Sequence, residues 1–437
     1  MNIRSWMALA LACALVACGG GGGGGNGGEA AGATPGPQLT ALSVGPTRAY
    51  TGAHPGTLSL SGTALVAGLA ANGVRISLVN AAGVAVAQSV GAFAGGPTLG
   101  AVGFSTSIDT SALPAGTYRI EVQVTSSTGG LSNALTQAFQ LIAYPWRAVG
   151  TMPHTVSEFA IAAVGTKAYV LAGLSTVNGV GTATADVQVY DTVSGQWSSG
   201  AQAPHARAGA TAAAVGTDIY LMGGYDAASP AGVATVDVLD TQTGTWRSGP
   251  ATPTARFYSC SAAIGSSIYL AAGAQSLTDS LRIAVLERLD TTTGTWVQLA
   301  PAGYPAVHPG CAVLGGSLYV NGGDSSVAGF SELVASQWYD PALNLWSTTN
   351  FFSFNRSRHG SVAVDGRVVL IGGRSDAGGI EAPTAVTEVY DPTTNKWSFG
   401  APMPAAAGDV GAVVIGGLVH VFTPTSSYTY DAHSDLP

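Results

Sequence analysis

Polar side chains able to exchange protons recur at one place in a repeated pattern, 13 or 14 residues before a pair of small residues that is usually a glycine doublet. They are two carboxylates, a phenol, two imidazoles and a guanidinium: Glu158, Tyr258, His308, Arg358, His359 and Asp409. Gly209 takes this place in another repeat, and Arg207 and Arg256 lie close by in sequence. Groups of these types bind polar ligands through hydrogen bonds, and carboxylates and imidazoles also act as general acids and bases.

The elements that must position these residues repeat about every 50 residues. Tryptophan recurs with successive spacings of 51, 49, 50, 50 and 51 residues, at Trp146, Trp197, Trp246, Trp296, Trp346 and Trp397. Each full repeat contains an apolar run that ends in small residues, such as DIYLMGG at 218–224, which predicts a strand that ends at a turn or a close backbone approach. An aromatic residue or leucine then precedes an aspartate, six residues before the tryptophan. Glycine or asparagine between them indicates a tight hairpin with positive φ.

The glycine doublet, the Tyr-Asp or Leu-Asp step and the spaced tryptophan resemble the kelch repeat over residues 143–437. This resemblance implies a β-propeller built from four-stranded blades. Ala172-Gly173 and Ala272-Gly273 replace the doublet in two repeats, where a small residue should be tolerated. We predict six blades, the last of which takes its outer strand from residues 141–150. Such closure removes an open sheet edge.

The kelch resemblance also implies where the polar residues lie. In such propellers the innermost strands line a central channel, and the loops entering them share one face with the loops after the doublets. Those second loops contribute further polar residues, namely Asp226, Asp279, Arg282, Asp324, Arg374, Asp376 and Glu381. The alternative is that these side chains are solvated or join neighbouring blades by hydrogen bonds. We interpret the set as a ligand site at one axial mouth, with these candidate residues: Glu158, Arg207, Arg256, Tyr258, His308, Arg358, His359 and Asp409.

The first 38 residues predict export. Arg4 followed by an apolar stretch is typical of a secretory signal over residues 1–18, and Leu15-Val16-Ala17-Cys18 resembles the lipobox of bacterial lipoproteins. The resemblance implies acylation of Cys18, for example by palmitate, and anchoring at the outer membrane, facing the periplasm or the cell surface. The alternative is an ordinary signal with a chance cysteine. Residues 19–38 are predicted to be a glycine-rich linker.

Residues 39–142 lack the repeat and form a separate predicted domain. Short alternating runs occur at 39–44, 57–60, 74–79, 84–90, 101–107, 117–125 and 135–142. Seven strands in about 100 residues suggest an immunoglobulin-like β-sandwich. We interpret this domain as a spacer ahead of the propeller, and glycan binding is the alternative. The fold class is therefore predicted to be all-β.

Composition limits the partners. A formal net charge of -8 and a pI near 5.2 disfavour nucleic acid. Cys260 and Cys311 are 51 residues apart at nearly equivalent positions, so either a disulfide between neighbouring blades or two buried thiols is possible. Neither cysteine has the paired spacing of a metal site, so no metal or cofactor is predicted.

These observations favour a lipid-anchored binding module for a glycan or a protein partner over an enzyme. The first alternative is a sugar mutarotase, because the chain is similar to the six-bladed periplasmic sialic acid mutarotase, and Glu158, Arg358 and His359 could supply acid and base groups. Galactose oxidase is similar in pairing a sandwich with a kelch propeller, but its copper site needs tyrosines and histidines, and only Tyr258, His308 and His359 fall at this mouth. A purely structural envelope protein is the third possibility.

Overall fold

The computed structural model describes residues 38–45, 48–51, 57–93, 98–126, 128–177, 180–226, 231–277, 282–325, 335–376 and 381–435. These residues are almost entirely β-strand, with one short helix, α1, at Ala432–Asp435. The all-β prediction is therefore confirmed. The predicted signal peptide, Cys18 and the glycine-rich linker up to residue 37 lie outside the described residues, as does Asp279. Within the described ranges, none of the helical structure is long and apolar enough to cross a bilayer.

The N-terminal region forms one seven-stranded arrangement with a single apolar core. Its strands are β1 (Gln38–Gly45), β2 (Arg48–Thr51), β3 (Thr57–Val79), β4 (Ala85–Ala92), β5 (Thr98–Asp109), β6 (Gly116–Ser126) and β7 (Leu135–Ala143). The first part of β3 pairs with β1 and β5, whereas its second part pairs with β4 and β6. The runs predicted as separate strands at 57–60 and 74–79 therefore belong to one strand, because the small residues between them also stay extended. The immunoglobulin-like assignment stays a prediction.

The rest of the described chain forms six four-stranded sheets, here called blades 1 to 6. Blade 1 contains β9 (Ala160–Val164), β10 (Lys167–Val177), β11 (Val180–Asp191) and β12 (Gln196–Ser199); blade 2 contains β13 (Thr211–Val215), β14 (Asp218–Met222), β15 (Val236–Asp240) and β16 (Thr245–Ser248); blade 3 contains β17 (Cys260–Ile264), β18 (Ser267–Ala271), β19 (Leu286–Asp290) and β20 (Thr295–Gln298). Blade 4 contains β21 (Gly310–Leu314), β22 (Ser317–Asn321), β23 (Ser336–Asp340) and β24 (Leu345–Thr348); blade 5 contains β25 (Gly360–Val364), β26 (Arg367–Ile371), β29 (Thr387–Asp391) and β30 (Lys396–Phe399). Blade 6 contains β31 (Gly411–Ile415), β32 (Leu418–Phe422), β33 (Ser427–Tyr430) and β8 (Trp146–Gly150), and a separate ribbon pairs β27 (Arg374–Asp376) with β28 (Glu381–Pro383).

The innermost strands close into a ring. Each of β9, β13, β17, β21 and β25 contacts the innermost strand of the next blade, and β31 contacts β9 again. Blade 6 is completed by β8, which comes from the start of the repeat region and pairs antiparallel with β33 near its end, so that Trp146 lies opposite Tyr430. This pairing of the two ends was predicted from the sequence. Blade 6 therefore has four strands, as the other blades do.

The repeated aspartate and tryptophan have separate structural roles. Asp240 accepts hydrogen bonds at Oδ1 from the amides of Gln242 and Thr243, and the turn is completed by Gly244 at φ 72°. The indole of Trp246 donates to the carbonyl of Ala201, which follows the outer strand of the preceding blade, at 3.0 Å. Four other repeats make the same indole bond to the preceding blade. The 50-residue period therefore records contacts between blades as well as the hairpin within each blade.

A disulfide joins the innermost strands of blades 3 and 4. Cys260 and Cys311 are bonded, with Cα atoms 5.5 Å apart. Of the two alternatives left open by the sequence, the bridged one is present. Its sulfur atoms belong to the wall of the central channel, because both cysteines line the cavity there.

The N-terminal domain contacts the propeller near the end of the described chain. The phenol of Tyr50 donates to Oδ1 of Asp435 at 2.5 Å, while Oδ2 of the same carboxylate accepts from Tyr430 and from the amide of Ala401. Asp435 is fully buried. One carboxylate thus connects the N-terminal domain with blades 5 and 6.

Candidate functional site

The candidate site begins with an unusual backbone conformation at the residue two positions before the innermost strand in five of the six blades. Glu158, Tyr258, His308 and Arg358 have φ between 52° and 54°, and Gly209 has φ 63° at the same place in blade 2. A residue other than glycine pays about 1–2 kcal/mol in this left-handed region. Strained backbone that persists in four blades indicates a constraint imposed by the surrounding structure, and such strain is concentrated at functional sites.

A belt of backbone hydrogen bonds explains how this conformation is held. The amide of Gly209 donates to the carbonyl of Glu158, the amide of Tyr258 to Gly209, and the amide of His308 to Tyr258. The belt continues from Arg358 to His308 and from Val410 to Arg358, at 3.1 and 3.0 Å. Each left-handed residue therefore links two blades through its backbone. Its side chain lines one cavity of about 130 Å³ at the axis, together with His359 and Asp409.

The centre of the cavity is an ion cluster. Nη1 of Arg358 lies 3.2 Å from Oε1 of Glu158 and 3.1 Å from Oδ1 of Asp409. The other oxygen of Glu158, Oε2, accepts hydrogen bonds from the phenols of Tyr225 and Tyr258 at 2.7 and 2.9 Å. The guanidinium of Arg358 also lies over the ring of Tyr258, 5.5 Å from its centroid. Residues from five blades therefore meet in a single hydrogen-bonded group.

Burial and charge set the protonation of this group. Burial raises the pKa of Tyr225 to about 12, and burial together with the carboxylate of Glu158 raises the pKa of Tyr258 further, so both phenols stay protonated and donate. Burial acts to lower the pKa of Arg358, but the charges of Asp409 and Glu158 outweigh it and raise the pKa above its usual value. The cluster therefore holds one permanent cation and two neutral phenols.

The two histidines of the cavity stay neutral. Burial lowers the pKa of His359 to about 3, with the charge of Arg356 acting in the same direction. Burial and the charge of Arg358 lower the pKa of His308 well below its ordinary value. Neither ring nitrogen of His359 nor Nε2 of His308 makes a hydrogen bond within the described part of the chain. A buried polar group normally has a partner, so these nitrogens remain available to a bound molecule or to water.

The cavity continues along the channel. Below the ion cluster, the first and second residues of the innermost strands line a cavity of about 180 Å³, which includes Thr211, Ser261, Ser361 and the disulfide. Further along, the lining is mostly alanine and valine, and the cavity volume is about 420 Å³. The polar groups are therefore concentrated at one end of the axis. Small inner-strand residues such as Ala213 and Ala263 leave the remainder open.

Two predicted site residues, Arg207 and Arg256, belong elsewhere. Both are almost completely buried inside their own blades. Arg256 forms an ion pair with Glu287 at 2.6 Å and donates to the carbonyls of Ala272 and Val285. Arg207 pairs with Asp237 in the same way. Each arginine precedes the axial position of its repeat by two residues, and its side chain is buried in an ion pair within the blade. Their assignment to the mouth was therefore wrong.

The loops after the glycine doublets lie beside the mouth, as the sequence predicted. Isolated backbone bridges join Ala208 with Tyr225 and Ser357 with Arg374, which places the two kinds of loop on one face. Arg282 pairs with Asp324 at 3.0 Å, and Arg374 approaches Glu381 at 3.8 Å. Asp226 is exposed and Asp376 is half-buried. These loop charges are thus mainly engaged with one another at the rim.

Sequence reasoning missed Tyr225, which donates to Glu158 in the centre of the cluster. The position directly after the doublet is Leu174, Tyr225, Ala274, Asp324 and Arg374 in successive blades. Tyr225 is the single aromatic residue among these five, which was the available signal. The adjacent Asp226 was chosen instead because of its charge.

The described residues contain no group of three or more histidine, cysteine, aspartate or glutamate side chains arranged to hold a metal ion. Their polar groups instead form hydrogen-bonded pairs and unpartnered imidazoles around the axis. The fold and the site together define a β-propeller with a polar cavity at one axial mouth.

The chain belongs to the kelch-repeat family. The KLHDC2/KLHL20/DRC7 Kelch-repeats domain matches residues 154–373, and the Kelch motif matches residues 355–404. The solved structure of YjhT is similar at a TM-score of 0.55 and 12% identity, covering 64% of this chain and 95% of that chain. Identity at this level supports the shared propeller fold alone. No curated protein matches the chain.

Proposed function

We propose that the protein is a binding module that takes a glycan into its axial mouth. The observation that carries this proposal is the convergence of Glu158, Tyr258, Arg358 and Asp409 with two neutral histidines around one cavity. A kelch propeller supports a binding or an enzymatic module in general, and the site has to distinguish them. Saccharide hydroxyls donate and accept at once, which suits carboxylate oxygens, phenols and neutral imidazoles on one wall.

A thermal-shift titration of the full chain against saccharides tests the proposal. A ligand that binds only the folded state stabilises it by about 2.7 kcal/mol at a hundred times its Kd, so a saturable rise in Tm is expected. Tyr258→Phe removes the phenol that bonds Glu158 and should weaken binding. The matched control is Arg247→Ala, because the exposed Arg247–Asp218 pair lies outside the cavity.

Three outcomes separate the alternatives. A shift that Tyr258→Phe abolishes and Arg247→Ala leaves unchanged supports glycan binding at the mouth. A Tm shift that is unchanged in Tyr258→Phe would show that the saccharide binds outside the axial mouth. If no saccharide raises Tm, but a protein binds the wild-type chain and does not bind the Tyr258→Phe variant, the glycan proposal fails and a protein partner is favoured.

A sugar mutarotase is the second candidate, and one observation favours it. Glu158, His308 and His359 line the same cavity, so a carboxylate able to accept a proton lies beside two neutral imidazoles, each with an N–H that can donate a hydrogen bond. Opening a hemiacetal requires one acid and one base near the anomeric carbon. Anomer interconversion followed by NMR on any sugar that shifts Tm decides the matter, since a pure binding module leaves its rate at the buffer value.

For the location we propose a lipid anchor at Cys18 and attachment to a bacterial outer membrane. The support is the apolar stretch after Arg4 and the Leu15-Val16-Ala17-Cys18 sequence. The glycine-rich segment 19–38 would then act as a tether and residues 39–142 as a spacer. Metabolic labelling with palmitate tests the anchor: wild type should incorporate label and Cys18→Ser should not. Equal labelling of both would rule this out.

A further inference from the structure

The charges at the axial mouth restrict which glycans can enter, an inference that rests on the proposed function. Arginine often marks a site for a carboxylate or a phosphate, because its guanidinium binds such anions in two-point geometry. Arg358 is the guanidinium of this cavity. Its surroundings are therefore decisive for the class of ligand.

Arg358 is already engaged by carboxylates. It lies between Glu158 and Asp409, and its side chain is 23% exposed against 12% and 18% for the two carboxylates. One face of the guanidinium covers the ring of Tyr258, whose ring in turn lies 3.8 Å from that of His308. An incoming anion would have to displace a carboxylate from a buried pair or lie beside two of them.

The rim does not offset this charge. Arg282 is paired with Asp324, and Arg374 faces Glu381. The ion-paired groups of the rim and the central cluster together comprise four carboxylates and three guanidiniums, so the formal charge of this set is negative. Like charges brought together at a desolvated site oppose binding strongly.

Among the described residues that line the cavity, the buried polar atoms without a hydrogen-bond partner are uncharged. They are Nε2 of His308, both ring nitrogens of His359 and Oγ of Ser259, all buried at the wall of the cavity. A neutral imidazole presents one donor and one acceptor, and a serine hydroxyl presents both. His359 is only 5% exposed. This combination complements sugar hydroxyl groups and offers nothing to balance a negative charge.

We propose that the axial mouth takes an uncharged, hydroxyl-rich saccharide and excludes sugars that carry a carboxylate or a phosphate. Arg358 then serves to hold Glu158 and Asp409 in place as hydrogen-bond acceptors for the ligand. The selectivity comes from the ratio of two carboxylates to one guanidinium at the centre.

Isothermal titration of the full chain at pH 7 with matched sugars tests this. The probes are glucose, glucuronate and glucosamine, and the corresponding galactose, galacturonate and galactosamine, because each charged sugar differs from its neutral hexose at one substituent, the C6 group in the uronate and the C2 group in the amino sugar. The expected result is that a neutral hexose binds at least about tenfold more tightly than its uronate. A uronate that binds as tightly as the neutral sugar overturns the inference, and an amino sugar that binds as weakly as the uronate contradicts its electrostatic cause.

A second variant tests the stated cause. The double substitution Glu158→Gln and Asp409→Asn keeps the shape and removes two negative charges, so the preference should move toward the uronate, with a cooperative unfolding transition as the check on folding. An unchanged preference in the folded variant contradicts the role of these carboxylates. If wild type binds uronates more tightly than neutral hexoses, only this inference fails. If no sugar of either series binds, the proposed function fails as well.

Discussion

Arg256 and Arg358 occupy almost the same place in their repeats, two residues apart in register, but they belong to two regions with different requirements. Inside blade 3, Arg256 is completely buried, has one carboxylate partner and donates its other protons to backbone carbonyls. At the mouth, Arg358 is shared by two carboxylates and borders a cavity with unpartnered imidazoles. A balanced and fully bonded ion pair supports the fold, whereas an unbalanced cluster with free hydrogen-bonding groups is suited to a ligand.

The blades show that the two members of the interior pair occur together. Blades 2, 3 and 5 have arginine together with an acidic partner, as in Arg256 with Glu287. Blade 1 has Val156 where the arginine would lie and Gln188 in place of the acid. Gln188 instead bonds the backbone of His154. Both partners change together because a lone buried charge is costly.

The largest effect is expected from breaking an interior pair. Arg256→Ala leaves Glu287 buried without its cation and should lower the free energy of unfolding by about 3–5 kcal/mol, measured by urea denaturation. The double variant Arg256→Val with Glu287→Gln reproduces the blade 1 combination and should recover most of this loss. A single variant as stable as wild type would show that the buried pair contributes nothing.

The disulfide lies between the two regions, since it joins two blades below the mouth. Replacing both Cys260 and Cys311 by serine opens a loop of 51 residues and should cost about 2–4 kcal/mol. Denaturation of wild type in the presence and absence of a reductant gives the matched comparison, with the double variant as the control that reductant should not affect. Equal midpoints for wild type under both conditions would contradict a stabilising role.

At the mouth, removing the cation should affect binding more than folding. Arg358→Ala is expected to cost about 1–2 kcal/mol of stability, less than Arg256→Ala, because the side chains of Glu158 and Asp409 are 12% and 18% exposed whereas that of Glu287 is 1% exposed. Saccharide binding should be lost, since the acceptors are no longer held. Denaturation and titration of the same sample measure both effects. A stability loss as large as that of Arg256→Ala would erase the distinction between the two regions.

The effect of pH on stability is smallest near neutrality and grows as the solution is acidified. The pKa of His359 is lowered from 6.5 to about 3, so between these values the unfolded chain binds a proton at this residue and the folded chain does not. Stability should therefore fall as the pH drops from 6.5 toward 3, by up to about 1.4 kcal/mol per pH unit from this group. His359→Gln should weaken the dependence of the free energy of unfolding on pH over that window. His433→Gln, at an exposed histidine, should leave this dependence unchanged. Parallel curves for wild type and His359→Gln would refute the assignment.

Much of the site could be predicted from the repeat, and the limits of that prediction are physical. Counting back from the glycine doublets found Glu158, Tyr258, His308, Arg358, His359 and Asp409, all of which line the cavity. The count is reliable because β-strands alternate sides and the repeats keep a constant length to the doublet. Arg207 and Arg256 are only two residues away, but the left-handed residue after them changes the direction of the chain. No local pattern reveals that change.

The sequence alone determined the all-β class, the kelch repeat, the blade-forming segments and the pairing of Trp146 with the other end of the repeat region. These follow from local periodicity and from short-range turn chemistry, which each repeat carries in its own residues. The tertiary structure decided which charges face the axis, that Tyr225 joins Glu158, and that Cys260 is bonded to Cys311. Those facts depend on distances between blades, since residues up to 200 positions apart, such as Glu158 and Arg358, meet only when the ring closes.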